Sequence, residues 1–115
     1  MRAVLALLLS LAAAPAFAAD GQALFNDKCS DCHTPGPASG ETAPSLKGVV
    51  GRKIAGLSDF QYSAALKAKG GVWTEASLNA FLADPKTFAP GTAMFGGASD
   101  PAERQAIIDY LKTVQ

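Results

Sequence analysis

Hydrophobic residues in this chain form one long apolar run at the N-terminus and then several short stretches with helical spacing. Residues 21–28, "GQALFNDK", predict a short helix with Asp20 as N-cap and Phe25 one turn before Cys29. An alanine-rich stretch over residues 60–69 predicts a second helix, ended by Gly70-Gly71. Thr74 can cap a third that carries Leu78, Phe81 and Leu82 on one face, and Asp84-Pro85 stops it. Asp100 caps the last, opened by Pro101 with Glu103 at the third position. That helix carries Ile107, Ile108, Leu111 and Val114 on one side, with Tyr110 alongside. Nowhere does period-two alternation last long enough for a convincing strand, so the expected class is all-α, with about four short helices.

Between the first two helices, residues 34–56 are rich in Pro and Gly and follow neither period. An ordered loop of that length is unusual in a compact domain, so something besides secondary structure must hold it. The helices are also few and short for a self-sufficient core. A buried flat cofactor would give both the helices and the loop something to cover.

The N-terminal run changes the domain count. Arg2 is followed by apolar residues from Ala3 to Leu11, then by small residues with Ala16-Phe17-Ala18 in an A-x-A pattern. This reads as a secretory signal peptide over residues 1–19, cleaved to leave one domain over residues 20–115. The alternative, a membrane anchor, needs about 20 apolar residues, and Val4 to Ala14 falls short. The expected location is the periplasm, with no stable membrane insertion after cleavage. Cleavage removes Arg2, leaving nine Lys and Arg against ten Asp and Glu, a net charge of −1. That balance offers no nucleic-acid surface.

The candidate chemistry is concentrated in Cys29-Ser30-Asp31-Cys32-His33, which holds both cysteines and the sole histidine. A disulfide or redox-active thiol pair is one reading, permitted by an oxidising compartment. The loop it closes is tiny, however, and the βαβ pattern of thioredoxin-like C-x-x-C sites is missing. Zinc would need four ligands, and carboxylates would have to complete the set. Covalent haem explains the spacing best, because C-x-x-C-H is the c-type attachment signature. Each thiol adds to one haem vinyl group, and one helical turn brings both sulfurs to one edge of the ring. The imidazole that follows is carried beneath the iron. For the sixth ligand, Met94 is the one methionine left after cleavage, in the Pro/Gly-shaped loop "FAPGTAMFGG". A His/Met pair raises the reduction potential, whereas the alternative for Met94 is gap-filling in a core.

The segments "CSDCH", "PSLKGVVGRK", "YSAALKAKGGVW", "FLADPKTFAPGTAM" and "ERQAIIDYLK" follow in an order that resembles the class I cytochromes c, especially the mitochondrial-like branch and its bacterial c2-like relatives. The resemblance spans about residues 21–111. It implies a small cytochrome c fold, helices and ordered loops wrapped around one covalently attached haem c. It also implies that Cys29 and Cys32 are the thioether attachments, and His33 and Met94 the iron ligands. Pro44 is similar to the proline whose carbonyl receives the His33 Nδ1–H bond. Arg52, Tyr62 and Trp73 resemble residues around the haem propionates, where buried carboxylates need donors. Gly21, Phe25, Ile107 and Tyr110 match positions where the first and last helices cross. Gly91 and Thr92 look like loop-shaping residues beside Met94.

Three departures stand out. Phe81 occupies a position where many relatives carry a tyrosine touching the methionine sulfur, and Ala93 one where a lysine is frequent. The connection after Met94 also looks one residue shorter. With near-neutral charge, the chain does not support the strongly cationic docking face of mitochondrial relatives.

The resemblance implies a soluble, monomeric, monohaem one-electron carrier rather than an enzyme. Expected partners are redox proteins such as a membrane cytochrome complex, a terminal oxidase or a periplasmic dehydrogenase. The alternatives are a dedicated electron-accepting subunit of a periplasmic dehydrogenase, and a haem peroxidase or ligand sensor acting once Met94 dissociates.

Overall fold

The structure is a computed structural model and describes residues 20–115. The expected signal peptide, residues 1–19, lies outside the described residues.

Helix α1 spans Gly21–Lys28, and the Asp20 carboxylate accepts from the backbone N–H groups of Gln22 and Ala23. These are donors that the first turn of a helix cannot satisfy internally. Helix α2 is Ala64–Lys69, α3 is Glu75–Ala83, α4 is Pro85–Phe88 and α5 is Pro101–Leu111. Thr74 and Ser77 form a reciprocal capping box at the start of α3. Asp100 accepts from Ala102 and Glu103 at the start of α5, where Pro101 fills a position that needs no N–H.

One expectation needs correcting and another is refined. Residues 60–63 are not helical, and α2 begins only at Ala64. Ser63 is extended and its hydroxyl accepts from Leu66 N–H, so the helix starts where its cap stands. Phe60 and Tyr62 lie ahead of it with their rings edge to face, centroids 5.1 Å apart. The Asp84-Pro85 pair does end α3, but Asp84 also caps α4, a fourth helix of one turn that raises the count to five. The described residues contain no strand; Lys53 and Val72 form an isolated antiparallel bridge.

The core forms where α1 crosses α5 and α3 packs on α5. Phe25, Ile107 and Ile108 are essentially solvent-free. Gly21 makes the crossing possible. A Cβ there would run into the Ala106 carbonyl and approach Tyr110 Cβ to 2.9 Å. With only a hydrogen at that position, Phe25 and Tyr110 close the contact at a centroid distance of 5.3 Å. A second aromatic group, Trp73, Phe81 and Phe88, sits between α3 and α4 with centroids 5.2–5.7 Å apart. Full burial of each such side chain stabilises by about 1.5–3 kcal/mol. Ile108→Ala, which empties a fully buried site at the centre of α5, is expected to cost about 2–5 kcal/mol. The midpoint of a denaturant titration measures the loss.

The loop over residues 34–56 is held by polar contacts. Ser39 donates its N–H to Asp59 Oδ2 (2.9 Å) and its hydroxyl to Asp59 Oδ1 (2.7 Å). Ser45, fully buried, donates its hydroxyl to the Gly36 carbonyl and accepts from Lys47 N–H. Thr34 O accepts from Leu46 N–H at 2.9 Å, closing the base of the loop.

Candidate haem site

Helix α1 delivers the two thiols. Cys29 N–H and Ser30 N–H both donate to Phe25 O, so the chain makes one more turn before leaving the helix. Cys32 N–H and His33 N–H then both return to Cys29 O, at 3.2 and 2.9 Å. This turn presents Cys29 half-buried, Cys32 exposed, and His33 immediately after them. Both cysteines are free. Burial pushes the Cys29 thiol above its ordinary pKa, opposed by the charge of Lys28.

His33 Nδ1 lies 2.8 Å from the carbonyl oxygen of Pro44. A carbonyl only accepts, so Nδ1 carries the proton and Nε2 keeps its lone pair. Burial pushes the imidazole below its usual pKa. The bond to Pro44 opposes that shift, and the charge of Arg52 adds to it. The ring is therefore neutral at pH 7, with one nitrogen anchored and the other available as a ligand. Among the described residues no three His, Cys, Asp or Glu side chains converge to hold a metal ion, so the zinc reading lacks a ligand set.

Met94 comes from the loop after α4. Thr92, buried, donates its N–H to Ala89 O (2.9 Å), and its carbonyl accepts from Lys86 Nζ (2.5 Å). Thr92 Oγ1 accepts from Met94 N–H at 3.4 Å. Beyond Met94, Gly97 has φ +151°, and a Cβ there would collide with the Leu82 carbonyl. That carbonyl accepts from Ala98 N–H, and Arg104 Nη1 holds the carbonyls of Ala98 and Ser99 at 2.9 and 2.8 Å. Met94 and Cys29, both partly buried, pack on the same apolar cluster. A groove of about 340 Å³ touches Met94, Leu82, Pro85 and Ala98 but none of Cys29, Cys32 or His33.

Backbone bonds bring Arg52 and Trp73 together, and Tyr62 lies near enough to act on the Arg52 charge. Trp73 N–H donates to Arg52 O (2.8 Å), and Gly51 N–H donates to Trp73 O (2.7 Å). Arg52 Nη1 donates to Lys47 O at 3.1 Å, while its Nε is buried without any partner. Burial draws the guanidinium's pKa down, against the pull of Tyr62 and Asp59. Tyr62, also buried, has its hydroxyl oxygen receiving Leu57 N–H at 3.3 Å. A buried, unpartnered guanidinium N–H is costly and calls for an anionic acceptor. A haem carboxylate satisfies that requirement, so the residues fit the group. Phe81, the departure noted above, is buried against Trp73 and Phe88.

Ser39, Ser45 and Asp59 went unforeseen from sequence. A serine and an aspartate 20 residues apart in irregular chain carry no periodic signal.

Short helices, a turn carrying two free thiols and then an imidazole, and a buried guanidinium N–H without an acceptor are features that fit a c-type haem protein. A family model described as cytochrome c matches residues 18–115. Cytochrome c of Guizotia abyssinica is 41% identical over 106 residues, covering 90% of this chain and 96% of that one. Cytochrome c2 iso-1 of Magnetospirillum fulvum is 41% identical over 100 residues, covering 84% and 100%. The solved structure of cytochrome cH from Methylobacterium extorquens superposes with a TM-score of 0.75 at 46% identity, covering 84% of this chain and 97% of that one. The chain belongs to the cytochrome c family, whose members are electron carriers with covalently attached haem c.

Proposed function

We propose that the chain is exported by cleavage of residues 1–19 and works in the periplasm as a monohaem one-electron carrier. Cys29 and Cys32 hold the haem by thioethers, and His33 and Met94 fill its two axial positions. With both positions filled, substrate has nowhere to bind, and the group supplies one-electron chemistry alone. Pro44 fixes the His33 ring, while Arg52, Tyr62 and Trp73 surround the propionates. Its partners are redox proteins: a membrane cytochrome complex, a terminal oxidase or a periplasmic dehydrogenase. Near-neutral charge favours docking on a largely uncharged rim, through a small transient interface.

One observation carries this reading. The His33–Pro44 bond orients a neutral imidazole directly after two free thiols one turn apart. The test is to make the full chain alongside a cytochrome-maturation system, then record mass and visible spectra. The expected product lacks its leader and carries one haem that survives denaturation. It shows a ferric far-red iron–sulfur band, and the reduced protein does not bind carbon monoxide at neutral pH. A colourless product refutes the reading, and carbon monoxide binding moves it toward the peroxidase or sensor.

A second reading, a dedicated subunit of a periplasmic dehydrogenase, is favoured by Phe95. This ring is 88% exposed next to Met94 and has Lys86 Nζ 5.0 Å from its centroid. Purification from the native host separates the two, since a subunit elutes with its dehydrogenase and a free carrier elutes alone.

A further inference from the structure

The carbonyl that accepts from His33 and the N–H that donates to Ser39 belong to one peptide group. Pro44 contributes the C=O, bonded to His33 Nδ1 at 2.8 Å. Ser45 contributes the N–H, which donates to Ser39 Oγ at 2.9 Å. Ser39 Oγ in turn donates to Asp59 Oδ1 at 2.7 Å, and Ser39 N–H holds the other carboxylate oxygen. A continuous chain of donors and acceptors therefore runs from the Asp59 carboxylate through Ser39 and the 44–45 peptide to the His33 ring.

We infer that Asp59 and Ser39 are positioning residues that tune the iron through this peptide, making His33 a stronger electron donor than the Pro44 carbonyl alone would.

The physical basis is polarisation along a hydrogen-bonded chain. A carboxylate accepting from a hydroxyl makes that oxygen a better acceptor for the next N–H. Peptide resonance couples the N–H to the C=O of the same unit, so drawing on the proton places more negative charge on the carbonyl oxygen. That oxygen then pulls harder on the His33 Nδ1 proton and raises the basicity of the ring, as outer partners of ligating histidines do. A more basic ligand favours ferric iron and lowers the reduction potential. Asp59 is charged at neutral pH, since the two bonds from Ser39 hold its carboxyl below the usual range, with Arg52 adding to the effect. Ser45 is buried, which shelters the middle of the chain from competing water.

The inference rests on His33 being an iron ligand, and the experiment separates the two. Potentiometric titration of the haem-loaded protein is run on wild type, D59N, S39A, the double variant and S39T. D59N is expected to shift the ferrous-to-ferric ratio about threefold upward at fixed ambient potential, ~30 mV for one electron. S39A leaves the Asp59 charge in place but cuts the chain, and should shift the ratio equally. The double variant adds nothing further, and S39T, which keeps a hydroxyl, stays at wild type. The His33 Nδ1–H proton of the reduced protein, followed by NMR, should move upfield in D59N and S39A alike. This resonance and D59N keep the test decisive if S39A loads haem poorly. A shift in D59N with none in S39A would mean charge acting through space, and no shift in D59N would mean a structural clasp only. Either result overturns the relay while leaving the carrier intact. A wild type that carries no haem overturns both.

Discussion

Replacing Met94 by Ala is expected to lower the reduction potential by on the order of 0.3 V, within the ~0.8 V that axial ligands command. The ferric far-red band should vanish while the haem stays covalently bound. A thioether favours ferrous iron, so its loss favours the ferric state. The loop itself should persist, because Thr92 is held by Ala89 and Lys86, and the segment beyond by Arg104. The competing reading, Met94 as core filler, makes a different prediction. A half-buried methionine truncated to alanine would cost about 2 kcal/mol, the low end for such changes, and leave spectrum and potential alone. Potentiometry and a ferric spectrum on one preparation distinguish the two.

Gly21→Val is expected to destabilise the domain heavily, on the scale of the Ile108→Ala loss. The added Cβ would meet a backbone carbonyl, that of Ala106, which cannot rotate aside as a side chain could. Helices α1 and α5 must then separate, loosening Phe25 and Ile107 in the same movement. Overpacking usually costs about 1–3 kcal/mol, and a collision with backbone belongs at or above the upper end. About 3 kcal/mol corresponds to a Tm lower by roughly 12–24 °C in a domain of this size. Thermal melts of the haem-loaded protein check this, and Gly21→Ala should show a smaller loss of the same kind.

Much of this architecture could be read from the chain. Caps at Asp20, Thr74 and Asp100 mark helix starts in the residues themselves, because a capping side chain acts within three positions. The C-x-x-C-H run is local in the same way, and its nearly helical return bonds set the thiols one turn apart. What escaped was either marginal or distant. Alanine-rich residues around 60–69 suit a helix anywhere, so only the Ser63 cap decides where it begins. One turn after Asp84 is too short to show a period. The Ser39–Asp59 clasp joins residues whose partnership arises only once the loop has folded back. Resemblance groups Arg52 with Trp73, but the backbone bonds that join them are not encoded by side-chain identities.

Because α1 is completed only by α5, the two halves of that crossing arrive at opposite ends of synthesis. Synthesis runs from the amino end, so Cys29 and Cys32 stand beside a helix that lacks its cover until Ile107 and Ile108 arrive. Were haem joined there as proposed, an open, pliant target would meet it, and the last helix would shut the crossing afterwards.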